Sequence, residues 1–366
     1  MKILYILFIS FFLSFYGSLN CSGHDYRAWH LLRTLKHVED KDYTLFGHQD
    51  DLLYGYTFKS VKGSTDFSRS DIRSICEDYP AVLGLELGRT EVANINLDNQ
   101  YVENIINAAI QHYERGGIVT ISWHADNPIT KRNAWDLSEP KTVSLILNDA
   151  AAKEEYLKRL NKIADIFSEM KDSQGHNIPI IFRPFHEMNH GFWWGSKNTT
   201  QEDFISLWKM TYNYLVRTRK LRNLIWAYSP YSACSLDEYS RYYPGDKYVD
   251  IICFELYQGV NQRDLFIKKM HEGIQCATDF AKAHKKIVAV SETGLKSVTE
   301  ADWWTNALLQ AIDGTHIAYV LVWRNAGKSK EFYAPYKGHI SEENFMTFYC
   351  DKRIKLLKEF NKIYHK

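Results

Sequence analysis

The sequence has few residues of the kinds that would place it in a special structural class. Its 366 residues include 6 Cys and 8 Pro, and the 45 Lys and Arg nearly balance the 44 Asp and Glu, which gives a formal net charge of +1. Six scattered cysteines are too few for a disulfide scaffold in a chain of this length. No C-x-x-C spacing or Cys/His cluster indicates a zinc finger. The balanced charge gives no reason to expect nucleic acid as a partner.

The sequence also shows no repeat, low-complexity tract or Pro/Ser/Gly-rich linker, which favours one domain. Its first 21 residues are different in character. Lys2 is followed by the apolar run 3–15 and then by Cys21, a pattern typical of a lipoprotein signal peptide. We assign residues 1–21 to this signal segment, with Cys21 as the residue that would carry the lipid, and residues 22–366 to one domain of an exported bacterial protein, periplasmic or on the cell surface. An ordinary signal peptidase cut and an uncleaved anchor are the alternatives.

Short β-like runs alternate with longer amphipathic segments along the rest of the chain. The predicted strands are 43–47, 81–87, 117–123, 179–185, 224–228, 249–255, 287–291 and 317–323. Helical patterns include 101–115, 150–171, 202–217, 265–284 and 301–313, and a last helix is predicted over 343–364. Eight strand–helix units indicate a single (β/α)8 TIM barrel. The alternative is an open doubly wound sheet, but no Gly-rich dinucleotide loop follows the first strand.

Polar and aromatic residues gather where the predicted strands end, which is the face of a barrel that carries active sites. Two of these residues are glutamates, Glu187 after the fourth strand and Glu292 at the end of the seventh. Glycoside cleavage needs one carboxyl group that is neutral and one that is ionised on either side of the bond. The 10 Trp and 24 Tyr also suit carbohydrate, because aromatic rings offer apolar platforms that can hydrogen bond.

The same stretch contains a competing motif. Residues 186–190 (HEMNH) match the H-E-x-x-H pattern of zinc peptidases. That pattern binds zinc only on a helix, where positions four apart share one face. Pro184 precedes the motif and Gly191 follows it, so we predict no helix there and no metal or other cofactor.

Several motifs together resemble glycoside hydrolase family 26, the β-mannanase family of clan A, along nearly the whole mature length. They are, in order, residues 46–51 (FGHQDD), 121–128 (ISWHADNP), 183–195 (RPFHEMNHGFWWG), 242–246 (YYPGD), 249–252 (VDII), 291–294 (SETG) and 323–326 (WRNA). The resemblance implies a retaining hydrolase of β-1,4-mannosidic bonds in mannans, acting as an endo-mannanase or an exo mannobiohydrolase. It implies that Glu187 is the acid/base and Glu292 the nucleophile.

The resemblance also implies roles for other residues. His124 and His186 would contact the sugar in the −1 subsite, Trp323 would lie under its ring, and Tyr257 would orient Glu292. The remaining substrate-site residues implied or predicted are Arg183, Trp123, Asn127, Trp193 and Trp194, with the last two lining the cleft on the leaving-group side. The chain departs from the family at Glu86 and Glu255, where the family has Asp, and at Cys253, where it has Gly; its segment 187–193 is one residue shorter.

Other functions stay open from the sequence. Within the family, the substrate could be mixed-linkage β-glucan or β-1,3-xylan. A protein of another class, a non-catalytic glycan-binding lipoprotein, would keep the aromatic residues but lose a catalytic Glu. We expect a monomer whose partner is mannan or a manno-oligosaccharide, with a membrane contact only through a lipid on Cys21.

Overall fold

The computed structural model of the chain describes residues 23–195, 198–232, 235–328 and 330–364. The predicted signal segment and Cys21 lie outside these residues. None of the helices within the described ranges is long and apolar enough to cross a membrane.

Eight parallel strands form a closed barrel. They are β1 (Thr44–Gln49), β2 (Val82–Glu86), β3 (Ile118–Trp123), β4 (Ile180–Pro184), β5 (Leu224–Tyr228), β6 (Ile251–Gln258), β7 (Ile287–Leu295) and β8 (Tyr319–Val322). Each strand pairs with the next in chain order, and β1 pairs with both β8 and β2, which closes the sheet. The alternation of strands and helices therefore confirms the prediction of a single (β/α)8 barrel.

Helices surround the barrel and close its amino-terminal end. They are α1 (Tyr26–Asp40), α2 (Asp71–Cys76), α3 (Val102–Glu114), α4 (Thr142–Asn148), α5 (Ala150–Glu169), α6 (Gln201–Tyr212), α7 (Leu236–Ser240), α8 (Arg263–His284), α9 (Leu309–Ala311), α10 (Glu342–Tyr349) and α11 (Leu357–Tyr364). Side chains that accept a hydrogen bond from the first turn begin several of them, including Asp25 at α1 and Asp149 at α5. The sequence prediction did not include α1, whose buried residues pack in one cluster with residues of the barrel interior.

Alternate residues of each strand point to opposite sides of the barrel wall. On β4, Ile181 packs with the interior cluster, and Ile180 and Phe182 pack with the larger cluster beneath the helices. The next inward position is Arg183, at the carboxyl end of the strand. The barrel is thus apolar at its base and changes to charged side chains at its mouth.

The end of the chain differs from the prediction of one helix over 343–364. The helix is interrupted, and β9 (Ile354–Lys355) lies between α10 and α11 and pairs with the start of β1. The Asp351 carboxylate accepts a hydrogen bond from the backbone N–H of Arg353 at 2.9 Å, which favours a turn over a continuing helix.

Candidate active site

Glu187 follows β4 in a turn with an unusual backbone. Phe185 and Glu187 have positive φ angles of 53° and 48°, which ordinary residues adopt at a cost. The Glu187 N–H donates to the Ser229 carbonyl at 2.7 Å, and this bond ties the turn to the end of β5. Residues 185–190 are therefore not helical. His186 is buried and His190 is exposed, so the H-E-x-x-H pattern lacks the shared helix face that zinc binding requires.

Glu292 reaches the barrel mouth through an irregularity in β7. Simple alternation along β7 would send Ser291 inward and Glu292 outward. The pairing with β6 shifts at this point, however, so that Phe254 is opposite Val290 and Glu255 is opposite Glu292. Ser291 is the extra residue, as in a β-bulge, and bulges commonly redirect a side chain next to a functional site. Glu292 is consequently buried beside Glu255.

Three carboxylates and one guanidinium meet at the mouth. One oxygen from each of Glu187, Glu255 and Glu292 lies within 4.8 Å of the other two. Arg183 donates through one nitrogen to Glu255 and through the other to Glu292. The Tyr257 hydroxyl donates to the other oxygen of Glu292 at 2.9 Å. Among the described residues, this is the one acidic group compact enough for a metal ion, but Arg183 already supplies the cation there.

The carboxyl groups differ in their surroundings. Burial, with a further contribution from the nearby Glu292 charge, raises the pKa of Glu187 to about 7. Burial also raises the pKa of Glu255 well above its ordinary value, although Arg183 opposes the rise. Glu292 accepts hydrogen bonds from a cation and from a phenol, which are the contacts of an ionised carboxylate. The mouth thus pairs a carboxyl group that holds its proton near neutral pH with one that is bonded as an anion.

Two histidines lie beside this group. His124, just after β3, and His186 place their Nε2 atoms 3.0 Å apart. The Nδ1 of His124 is 2.7 Å from the carboxylate of Glu86 at the end of β2. The half-buried Trp323, just after β8, has its ring centre 6.2 Å from that of His124. The structure therefore brings His124, His186 and Trp323 together beside the carboxyl groups.

Four other residues predicted for the substrate site lie elsewhere. Trp193 and Trp194 are 1% and 0% exposed, and their indole N–H groups donate to the backbone carbonyls of Ala125 and His186. They pack around Phe185 in the core, so the prediction that they line the cleft is wrong.

Trp123 and Asn127 make hydrogen bonds that stabilise the loops around the end of β3. The buried Trp123 donates to Glu91 at 3.1 Å. The buried Asn127 amide donates to Thr142 and accepts from the N–H of Ile129. These contacts satisfy the polar groups of both side chains, so neither side chain is placed to bind a sugar.

Trp135 lies in the loop after β3 and was not among the residues predicted for the site. Its side chain is 51% exposed, which is high for an indole. Its ring stacks on His124 with 5.3 Å between centres and 25° between planes, and it also packs on Phe192. No spacing in the sequence marks Trp135, because only the folded loop brings it to His124.

A cavity of about 1090 Å³ opens next to the end of β8. Tyr54, Leu97, Asp98 and Arg324 are among its lining residues. Arg324 donates to Asp98, and Tyr54 donates to the other oxygen of Asp98 at 3.1 Å. Arg324 directly follows Trp323 in the chain, but the lining of this cavity includes neither Trp323 nor the carboxyl groups of Glu187, Glu255 and Glu292.

The sequence is similar to those of several bacterial proteins. It is 29% identical over 330 residues to the mannan endo-1,4-beta-mannosidase of Bifidobacterium adolescentis, a match that covers 81% of this chain and 32% of that protein. It is 33% identical over 197 residues to the mannan endo-1,4-beta-mannosidase of Bacillus subtilis strain 168, which covers 51% of this chain and 52% of that protein. The chain thus spans about a third to a half of the length of these relatives.

The fold is similar to that of solved structures. A GH26 beta-mannanase from Bacteroides ovatus superposes with a TM-score of 0.87 at 34% identity, over 92% of this chain and 97% of that one. The catalytic domain of a Bacillus sp. JAMB-750 GH26 endo-beta-1,4-mannanase superposes with a TM-score of 0.84 at 29% identity, over 93% and 95%. A sequence profile of glycosyl hydrolase family 26 matches residues 24–341. The chain belongs to glycosyl hydrolase family 26.

Proposed function

We propose that this chain is a retaining endo-β-1,4-mannanase, with Glu187 as acid/base and Glu292 as nucleophile. The observation that carries the proposal is the contrast between these two carboxyl groups at short range. One oxygen of each lies within 4.8 Å of one oxygen of the other, which suits the carboxyl spacing of about 5–5.5 Å in retaining glycosidases better than the roughly 6.5–9.5 Å of inverting ones. The substrate class is taken from the names of the relatives, which are mannan endo-1,4-beta-mannosidases.

The proposed reaction has two displacements. In the first, a carboxylate oxygen of Glu292 attacks the anomeric carbon, while Glu187 gives its proton to the glycosidic oxygen and the aglycone leaves. In the second, Glu187, now a carboxylate, takes a proton from water as the water oxygen attacks the same carbon. The bond to Glu292 breaks, and both side chains return to their starting states.

The surroundings of each carboxyl group suit its step. Glu187 can act as an acid near neutral pH because burial and the charge of Glu292 favour its protonated form. Arg183 and Tyr257 fix the plane of the Glu292 carboxylate. Arg183 also holds Glu255, so its planar fork sets the geometry of two carboxyl groups at once.

The time course of products from linear β-1,4-mannan tests the proposal. A ladder of oligosaccharides at early times is expected of an endo enzyme, and mannobiose alone would show exo action. Glu187→Ala, which should be nearly inactive, separates the activity from contaminants, and Glu154→Ala on the exposed side of α5 is the matched control. Cleavage of mixed-linkage β-glucan or β-1,3-xylan but not of mannan would overturn the proposed substrate. If none of the three is cleaved, the proposal that the chain is a glycoside hydrolase is wrong.

We also propose that the chain is exported as a lipoprotein with the lipid on Cys21. The support is the sequence pattern of residues 1–21. Expression in a Gram-negative host should place the wild type in the membrane fraction and Cys21→Ala in the soluble fraction. Equal distribution of the two proteins would contradict lipidation.

A further inference from the structure

The contact between the two active-site histidines has to contain one proton. Their Nε2 atoms are 3.0 Å apart, a hydrogen-bond distance, and an imidazole nitrogen either carries a hydrogen or accepts one. If His186 holds the proton on Nε2, its Nδ1 is an acceptor. If His124 holds the proton, a neutral His186 carries its hydrogen on Nδ1, which is then a donor.

The second ring nitrogen, Nδ1, has different surroundings in the two histidines. Nδ1 of His124 faces the Glu86 carboxylate at 2.7 Å, so it carries a hydrogen in either arrangement. Nδ1 of His186 is buried and has no hydrogen-bond partner among the described residues. A buried polar atom without a partner is costly, and this one belongs to the residue next to the acid/base. It is therefore the ring nitrogen of the pair whose hydrogen bond the described residues leave unmade.

Glu86 is held as an anion by an unusually complete set of donors. One of its oxygens accepts from the backbone N–H of Gly88 and, at 2.8 Å, from that of His124. The other accepts from the Ser122 hydroxyl at 2.6 Å and from His124 Nδ1. Because both oxygens accept hydrogen bonds from N–H and O–H groups, the carboxyl group of Glu86 is stabilised in its ionised form.

Other charged and titratable groups also act on the histidine pair. Around His124 these are Glu86 from β2, Arg183 from β4, His186 and Glu187 from the turn after β4, Glu292 from β7 and Asp98 from the loop after β2. Burial lowers the pKa of His124, but Glu86 and then Glu292 outweigh it and raise that pKa. Burial, His124 and Arg183 lower the pKa of His186. Both directions place the shared proton on His124.

We propose that Glu86 is a positioning residue that keeps His124 doubly protonated and thereby makes Nδ1 of His186 a hydrogen-bond donor to the substrate. The acceptor is a sugar hydroxyl oxygen beside the bond that breaks, and this identity rests on the proposed function. Glu86 does not itself touch the sugar. It acts through the line Glu86–His124–His186, and the orientation of that one proton decides whether the site offers a donor or an acceptor.

Spectroscopy on the free protein tests the proton arrangement without any substrate. In protein labelled with ¹⁵N-histidine, long-range ¹H–¹⁵N spectra at neutral pH should show His124 with both nitrogens protonated and His186 with hydrogen on Nδ1 alone; His124→Asn and His186→Asn assign the signals. In Glu86→Gln, His124 should become neutral and His186 should carry its hydrogen on Nε2. A neutral His124 in the wild type would overturn the proposal, whatever the variant does.

Kinetics on mannan test the consequence for the substrate. Loss of a hydrogen bond within a charged network predicts that Glu86→Gln lowers kcat/KM roughly 10- to 100-fold, and Glu86→Asp should recover most of it by restoring the charge. The matched control is Glu91→Gln, because Glu91 is a buried carboxyl that braces Trp123 and Asp126 in the same loop without facing His124.

The outcomes separate the two proposals. If the wild type cleaves no mannan, the proposed function fails, while the spectra of the free protein still decide the proton arrangement. If Glu86→Gln and Glu91→Gln lose activity equally, or if Glu86→Asp restores none, Glu86 only supports the fold and the inference is wrong. Loss confined to Glu86→Gln, together with the change in the His186 tautomer, is the expected result.

Discussion

Replacing Glu187 with Gln should make the protein more stable at alkaline pH, because the substitution removes a carboxyl group that ionises reluctantly in the folded state. Burial and the Glu292 charge raise the pKa of Glu187 from 4.5 to about 7. Below pH 4.5 the group is protonated in both the folded and the unfolded protein. As the pH rises towards 7, the unfolded protein loses this proton first, so the wild type loses stability over that window.

The size of the effect follows from the two pKa values. One pKa unit corresponds to 1.36 kcal/mol, so ionising Glu187 in the folded protein costs about 3 kcal/mol of unfolding free energy above pH 7. With an unfolding entropy of about 2.1 cal/mol/K per residue, a chain of this length should gain about 4 °C in Tm. Thermal unfolding of wild type and Glu187→Gln at pH 4.5 and pH 8.5 measures the difference.

The control is Glu154→Gln, which removes an exposed carboxyl group from α5 and should change Tm by a similar small amount at both pH values. The expected result is that the advantage of Glu187→Gln over the wild type grows by about 3 kcal/mol between pH 4.5 and 8.5. An advantage that does not change with pH, or one that shrinks as the pH rises, would refute the electrostatic account of Glu187.

The catalytic roles lead to three more predictions. We expect kcat/KM on mannan to fall above about pH 7 as Glu187 loses its proton; a profile that stays flat to pH 9 would contradict this. Glu292→Ala should be nearly inactive, and azide should restore turnover as an inverted glycosyl azide because a small anion fits the vacated space; an azide product of retained configuration would argue against Glu292 as nucleophile. Trp135→Ala should raise KM with little loss of stability, since half of the indole is exposed, whereas Trp193→Ala should cost about 3–5 kcal/mol in urea unfolding because that indole is in the core; equal stability losses would contradict this assignment.

The local sequence determined the barrel and the identity of its polar strand ends. Strands of a closed parallel barrel are buried on both faces, so each appears as a short apolar run, and the run ends where polar residues reach the mouth. Glu187 and Glu292 stand at such ends. The predicted strand bounds therefore agree with β5 at both ends and with most other strands within two residues.

The tertiary structure decided which aromatic residues are available to a ligand. Trp193 and Trp194 are adjacent in a motif full of site residues, yet both fill space around Phe185. Trp135 lies in an irregular loop and stacks on His124. Burial of a large side chain depends on the residues that surround it in space. In these loops, neither hydrophobicity nor spacing along the chain indicates which residues those are.

The direction in which the Glu292 side chain points was also decided only by the tertiary structure. A strand pattern with a period of two places Glu292 on the helix side of β7, and the shift in pairing with β6 turns it into the mouth beside Glu255. The sequence supplied the carboxyl groups, because their chemistry resides in single residues. Their protonation and orientation depend on a bulge, on a shared arginine and on burial, which are properties of how distant strands meet.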